Sequence, residues 1–359
     1  MKSLFAGGPH VARGAFGLVE DHMCVKAGES VVLTVDTASD LRAVEAIVRA
    51  VNEAQAKIAV IMVPQLPFQG ALADDYIPAP LAAAVKNCDV WLDITFPYMA
   101  GSKVHDEAMA PKKLRYMLAA ALRSEGLENI YGKADLDLLG EIQAEFDGIV
   151  DNAIGKECRI TTPAGTDVRF SLAKPGYAKR RKANKPGLYT PPASALMFPE
   201  PESVYGEVVL ETIFHEYYTR LQDLVTIHLE GGIKKVTGGG SERQALDRAL
   251  LRACSGGFGS IIHFTYAYNP AVPFAAEVFL EDARALGNNA VGLGLPWWRP
   301  GGGENHPDGI MSMQSIWIDG VQVVKDGLLV GPRLGELGQR LVPSISNLST
   351  RQGSSATVN

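Results

Sequence analysis

The chain has 359 residues, of which 47% are hydrophobic and 21% are charged. This composition is too apolar for a disordered protein, and the length favours about two domains. The 34 basic and 40 acidic residues give a net charge of −6. This charge argues against nucleic-acid binding, for which a basic face is expected. No apolar run reaches the roughly 20 residues of a membrane span, and the N-terminus lacks a secretory signal. The sequence therefore predicts a cytoplasmic enzyme without a nucleic-acid or membrane partner.

Strand-like and helix-like segments alternate over the first 150 residues. Short apolar runs predict buried strands, and apolar residues at helical spacing predict helices. The strands are expected at 30–36, 57–63 and 88–94, and the helices at 40–54, 105–124 and 135–152. This alternation is typical of a parallel sheet with crossover helices. Residues 1–154 are therefore predicted to form a parallel-sheet α/β domain.

The second half is dominated by strand patterns. Strands are predicted around the Pro163-Ala164-Gly165 turn and at 205–214, 222–229, 258–267 and 315–324, with one helix at 241–253. Residues 155–340 are therefore predicted to form a C-terminal β-rich α+β metal-binding domain, followed by a polar tail at 341–359. The basic stretch 174–192 is predicted to be an exposed loop, which is either simply solvated or attracts an anionic substrate.

A histidine and an aspartate two residues apart follow a glycine run near the C-terminus. Gly301, Gly302 and Gly303 precede His306 and Asp308. Residues i and i+2 of an extended segment project to the same side, so this pair is placed to bind one metal ion. The glycines let the backbone bend close to that ion.

A third metal ligand is predicted at His263, inside the apolar strand at 258–267. Burying a histidine there is costly unless a hydrogen bond or a metal satisfies it. Two histidines and one carboxylate suit mononuclear non-haem Fe(II), and Mn(II) accepts the same ligands. The alternative is a core histidine at 263 and an ordinary turn at 306–308.

Three stretches occur along the chain in an order that resembles a known superfamily. They are 162–170 (TPAGTDVRF), 198–206 (FPEPESVYG) and the His306-Pro307-Asp308 segment with 317–320 (WIDG). This order resembles the aminopeptidase T (thermophilic leucyl aminopeptidase) superfamily over roughly residues 25 to 332. Those peptidases hold two metal ions with glutamates, histidines and an aspartate.

The chain departs from the peptidases at two places. The stretch 286–294 lacks their additional histidine and 259–262 lacks their bridging glutamate, whereas His263 follows directly. This pattern is similar to the 2,5-dihydroxypyridine 5,6-dioxygenase offshoot of the fold, in which one strand histidine and a later His-x-Asp hold a single iron. The resemblance therefore implies one Fe(II) per chain, held by His263, His306 and Asp308.

The resemblance also implies further proton-transfer groups near the iron. The dioxygenase offshoot uses histidines in loops that correspond to 95–101 and 187–192 of this chain. Tyr98 and Tyr189 stand there instead, and they are predicted to hydrogen-bond the substrate or an oxygen species. His105 is a third catalytic candidate. Ordinary loop aromatics are the alternative for both tyrosines.

The remaining candidates are predicted to bind substrate. Trp297 and Trp298 precede Arg299, so this segment either stacks on a flat ring and pairs with its anionic group or serves only in packing. Glu202 lies in the stretch that resembles the glutamate segment of the peptidases. No role is predicted for four other histidines: His10, His22, His215 and His228.

These observations predict an Fe(II)-dependent ring-cleaving dioxygenase that acts on a small dihydroxylated aromatic, with a dihydroxypyridine as the favoured substrate. Its partners are that aromatic, dioxygen and further copies of the chain in a homo-oligomer. The alternatives are a metallo-aminopeptidase or amidase of the same fold, which needs ligands for a second metal, and a non-catalytic member of the fold.

Overall fold

The computed structural model describes residues 8–175, 182–215, 217–254, 257–295 and 306–341. The α-helices in these ranges are α1 Pro9–Phe16, α2 Leu41–Glu53, α3 Ala79–Val85, α4 Lys103–Met109, α5 Ser124–Gly126, α6 Leu136–Asn152, α7 Arg243–Ala253 and α8 Phe279–Asp282. Short π-helical and 3₁₀-helical segments add Gly17–His22, Gly70–Tyr76, Leu127–Gly132 and Pro201–Ser203. None of the described helices is long and apolar enough to cross a bilayer.

The strands form one parallel and one antiparallel sheet. They are β1 Ser30–Asp36, β2 Lys57–Val63, β3 Val90–Asp93, β4 Arg115–Leu118, β5 Glu157–Thr161, β6 Asp167–Ser171, β7 Gly187–Tyr189, β8 Ser194–Met197, β9 Tyr205–Phe214, β10 Tyr218–Glu230, β11 Ile233–Gly238, β12 Ser260–Ala267, β13 Asn289–Gly294, β14 Asp308–Met311, β15 Ser315–Ile318, β16 Val321–Lys325 and β17 Leu328–Leu329. The sequence-based fold class, parallel α/β followed by a β-rich part, is confirmed.

The N-terminal half is built on a five-stranded parallel sheet with the order β2-β1-β3-β4-β7. Side chains of β1 alternate between two apolar layers, as strand geometry requires: Val31 and Leu33 pack on the face covered by α1 and α2, and Val32 packs on the opposite face with Trp91. Both faces of β1, β3 and β4 are buried, as is usual for a parallel sheet, whereas the edge strand β2 is largely exposed. The buried inner strands can therefore support a site at the edge of the sheet.

Two segments of this sheet differ from the sequence-based prediction. The helix expected at 105–124 is instead α4 followed by β4. Pro111 has no backbone N–H to continue the helical hydrogen bonds, so α4 ends before it, and the apolar run that follows is buried as a strand. The loop expected at 174–192 contains β7, which adds to the parallel sheet beside β4. This strand carries residues of the second half into the first.

The second half forms a large antiparallel sheet. Its order is β17-β16-β15-β5-β6-β9-β14-β13-β12-β8, and β10 pairs with β9 and β11. Helix α6 packs against one face and contributes Leu139, Ile142 and Phe146 to a core that includes Phe264 and Ile316. The strands β12, β13 and β14 pair side by side and pack on this core.

Helix α1 crosses the π-helical segment Leu127–Gly132 at a glycine contact. A Cβ atom at Gly14 would overlap the backbone carbonyl of Leu127. A backbone oxygen cannot rotate away as a side chain can. We therefore expect Gly14→Ala to lower the free energy of unfolding by about 1–3 kcal/mol, the usual cost of overpacking.

Urea denaturation measures this change as a lower midpoint at an unchanged slope. Gly148→Ala is the matched control, because a Cβ atom at this position in α6 would meet no atom within 4 Å. It should leave stability unchanged or raise it by about 0.4–1 kcal/mol. Equal stability of Gly14→Ala and the wild type would show that the crossing is not tight.

Candidate metal centre

The candidate metal centre is organised around the strand β13. In the sheet register, Gly292 pairs with His263 of β12 on one side and with Asp308 of β14 on the other. The Cβ direction of this residue is filled by the imidazole of His263. Because glycine has no side chain, its two neighbours can lean over it towards each other. His306 precedes β14 by two residues and reaches the same point.

Three ligand atoms converge there. The Nε2 atoms of His263 and His306 lie 3.2 Å apart. The Oδ1 atom of Asp308 lies 3.4 Å from His263 Nε2, and its Oδ2 atom lies 3.6 Å from His306 Nε2. Within the described part of the chain, these residues are the group of histidine, cysteine and acidic side chains whose spacing could hold a metal ion.

The electrostatics of the three side chains suit a cation. Burial lowers the pKa of His263 to about 4 and holds the pKa of His306 well below its usual range, so both imidazoles are neutral and have a lone pair to donate. Burial also raises the pKa of Asp308 well above its usual range, because a buried carboxylate charge lacks solvent. A divalent cation would supply the missing counter-charge, so the three residues fit a metal ion.

The three side chains line a cavity of about 1320 Å³. Aromatic rings form one wall: Phe214 and Phe279 stack at 4.1 Å between ring centroids, and Phe96 packs against Phe214 at 5.3 Å. Tyr218 donates from its hydroxyl to Oδ2 of Asp282 at 2.7 Å and contacts Phe279 edge-on. Such a wall favours a flat, apolar-faced ligand.

Polar groups form another part of the cavity lining. Arg284 is buried there, and it is close enough to Asp308 for each charge to affect the pKa of the other. His22 also lines the cavity, with Nδ1 lying 3.0 Å from the hydroxyl of Tyr131. Burial and the charges of Arg284 and Lys182 lower the pKa of His22 to about 4, so this imidazole is neutral at pH 7.

The three predicted catalytic residues lie in different places. Tyr98 and Tyr189 both line the cavity. The Tyr189 hydroxyl donates to the backbone carbonyl of Lys185 at 2.7 Å, which fixes the ring. His105 is not among the cavity-lining residues, because α4 directs its ring against Tyr116, with 4.8 Å between ring centroids. The structure therefore brings the two tyrosines, and not His105, to the cavity.

The predicted substrate-binding residues are not brought to the cavity. Glu202 is exposed in the 3₁₀ segment Pro201–Ser203 and does not line it. The segment with Trp297, Trp298 and Arg299 lies outside the described residues.

Several cavity residues were not predicted from the sequence. Arg284, His22 and the aromatic wall come from segments far apart in the chain, so no local spacing signals them. His215, for which the sequence predicts no role, follows β9 and is buried close enough to His306 for its charge to lower the pKa of that residue. The pairing of Phe214 with Asp308 across β9 and β14 explains this approach.

Comparisons with known proteins agree with this architecture. The chain matches the sequence profile of the NicX family, 2,5-dihydroxypyridine 5,6-dioxygenase, over residues 16–292, a range that includes His263 and ends before His306. A comparison with curated protein sequences gave no significant match.

Two solved structures share the fold. The 2,5-dihydroxypyridine dioxygenase of Pseudomonas putida KT2440 superposes with a TM-score of 0.70 at 20% identity, covering 90% of this chain and 98% of that one. Wild-type AmpT of Thermus thermophilus superposes with a TM-score of 0.62 at 13% identity, covering 90% and 99%. These likenesses establish the aminopeptidase T-like fold, and the profile match extends over well over half of the chain. The chain therefore belongs to the 2,5-dihydroxypyridine 5,6-dioxygenase family and is a dioxygenase that cleaves a dihydroxypyridine ring.

Proposed function

We propose that this dioxygenase works with a single Fe(II) ion held by His263, His306 and Asp308. The observation that supports this is the convergence of three buried ligand atoms, 3.2–3.6 Å apart, on the cavity. Two neutral imidazoles and one carboxylate on one side of an ion leave its other positions open, which is the ligand set of non-haem Fe(II) oxygenases. When bound, Fe(II) supplies the redox chemistry by which dioxygen is incorporated into an aromatic ring.

The chain's own residues position the ring. The stacked pair Phe214 and Phe279 offers flat apolar surfaces on which a pyridine ring packs, and this wall excludes water from the reacting atoms. Burial keeps His263 and His306 neutral, so neither imidazole repels a cation. The wall and the ligand set together hold the ring and the cation in one cavity, and such alignment lowers the barrier to reaction.

Metal analysis of anaerobically purified protein tests the proposal. We expect about one iron per chain and oxygen uptake when 2,5-dihydroxypyridine is added. A chelator should abolish this uptake, and Fe(II) should restore it. If Mn(II) restored oxygen uptake and Fe(II) did not, the metal held by the same ligands would be manganese and not iron. Two metal ions per chain and release of N-terminal amino acids from peptides would contradict the proposal.

We also propose that Tyr98 and Tyr189 hydrogen-bond the substrate. Both line the cavity, and the Tyr189 hydroxyl, which donates to the backbone carbonyl of Lys185, keeps its lone pairs as acceptors. We expect Tyr98→Phe to lower kcat/KM for 2,5-dihydroxypyridine about tenfold, the loss of roughly one hydrogen bond. Tyr205→Phe is the control and should leave kcat/KM unchanged, because Tyr205 is exposed and does not line the cavity. Unchanged steady-state kinetics of Tyr98→Phe would contradict the contact.

We propose a cytoplasmic location, which is supported by the four unpaired cysteines, because free thiols fit a reducing compartment. Cell fractionation tests this location, and recovery of the protein in an oxidising compartment would contradict it.

Homo-oligomeric assembly also stays a prediction. Light scattering on the protein as it elutes from a size-exclusion column tests it, because the measured mass gives the number of chains per assembly.

A further inference from the structure

Arg284 is a buried cation in the wall of the cavity. It follows α8 by two residues and is 7% exposed. Its Nε and Nη2 atoms donate to the backbone carbonyl of Pro191 at 3.4 and 3.3 Å, and Nη1 donates to the carbonyl of Leu280 at 3.3 Å. These contacts fix the guanidinium plane on two neutral groups.

The guanidinium keeps hydrogen-bonding capacity for a ligand. It has five N–H groups, and the carbonyls of Pro191 and Leu280 take three of them. Among the described residues, no carboxylate oxygen comes within ion-pair distance of Arg284. Burial lowers its pKa to about 10, so it still carries its charge at neutral pH.

In the described part of the chain, Arg284 is a buried charge of the cavity lining that stays without a carboxylate partner when a metal is bound. The buried carboxylate of Asp282 does not line the cavity and accepts hydrogen bonds from Tyr218 and from the Ala275 amide. Among the described cavity-lining residues, Asp308 and Arg284 carry the buried formal charges. The acidic residues nearer solvent occupy exposed positions: Asp21, Asp135, Asp137 and Glu277. A divalent cation would take up the charge of Asp308, so this carboxylate does not serve as a partner for Arg284. Buried charge is costly unless it is paired.

A ring hydroxyl that ionises on the metal would pair with the cation and not with Arg284. A second anionic group on the same ring would pair with Arg284, and a carboxylate matches the planar donors of a guanidinium in a bidentate pair. The cavity, at about 1320 Å³, exceeds the roughly 300–1,000 Å³ of common small-molecule pockets and has room for a substituted ring.

We propose that the natural substrate is a dihydroxypyridine that also carries a carboxylate, and that Arg284 binds this carboxylate. The assignment rests on the proposed metal-dependent function and adds the substrate class. Arg284 therefore sets specificity by pairing with a part of the ring that does not react.

Calorimetric titration of the metal-free protein without oxygen tests the pairing apart from catalysis. The probes are 5-hydroxypyridine-2-carboxylate and 5-hydroxypyridine-3-carboxylate, each compared with its uncharged carboxamide. We expect at least one carboxylate to bind about tenfold to a hundredfold more tightly than its amide, as a charge-assisted hydrogen-bonded pair provides. Arg284→Met should abolish this preference, and Arg284→Lys should retain part of it.

Several outcomes would overturn the assignment. The first is equal affinity of the protein for both carboxylates and their amides. The second is a preference for the carboxylate that survives in Arg284→Met. The third is a preference for the carboxylate that appears only when metal is present, because the carboxylate would then bind the metal. If Arg284→Met does not fold, the comparison of acid and amide on the wild type decides alone. Absence of oxygen uptake with every hydroxylated pyridine would count against the proposed function and would leave these binding results standing.

Discussion

Gly292→Ala is expected to remove the metal ion and to reduce ring-cleaving activity by at least about a hundredfold. A Cβ atom at this position would lie 2.5 Å from Nε2 and 2.7 Å from Cδ2 of His263, distances that carbon atoms do not tolerate. The imidazole must therefore swing away from His306 and Asp308. Disturbing the groups that orient a ligand already costs 10- to 100-fold in metal affinity, and here the ligand itself is displaced.

Metal content by elemental analysis and the Kd for Fe(II) measure this effect. The double variant Gly292→Ala/His263→Ala is the control for packing, because removing the imidazole removes the collision. In the metal-free protein, Gly292→Ala should lower the Tm when His263 is present and change it little when His263 is absent. Full metal content in the single variant would show that the imidazole does not occupy the position above Gly292.

The three proposed metal ligands are the part of the site that sequence patterns indicate best. His306 and Asp308 project together because they are two residues apart in extended chain, and His263 is conspicuous as a polar residue in an apolar strand. The structure brings all three to one point. The part that Gly292 plays could not be predicted, since it depends on the register of three strands that are separated in sequence.

The wall of the cavity shows why the remaining predictions are less complete. Arg284 appears in the sequence as an ordinary charged residue. Its charge becomes significant only because the residue is buried after α8. His105 is polar and near a predicted loop, yet the cap at Ser102 starts α4 in a phase that turns the imidazole onto Tyr116. Local patterns determine helices and strands, whereas the phase and register that aim side chains arise from tertiary packing.

Asp308→Asn is expected to bring metal content below about a tenth of the wild-type value and to lower activity more than about a hundredfold. Asparagine keeps the shape of the side chain but cannot supply the one negative charge of the ligand set. The same change removes a carboxylate whose charge burial disfavours, as its raised pKa indicates. The metal-free variant should therefore be at least as stable as the metal-free wild type, while it loses affinity for the ion.

Thermal unfolding with and without Fe(II) separates these effects. Added Fe(II) should raise the Tm of the wild type, because an ion that binds only the folded state stabilises it, and should leave the Tm of Asp308→Asn unchanged. Asp282→Asn is the matched control, a buried carboxylate that accepts a hydrogen bond from Tyr218 and is not part of the ligand group. It should keep its metal. If Fe(II) raised the Tm of Asp308→Asn as much as that of the wild type, Asp308 would not be a ligand. The short distance between His263 and His306 would then be a contact between two imidazoles, without a carboxylate ligand beside them.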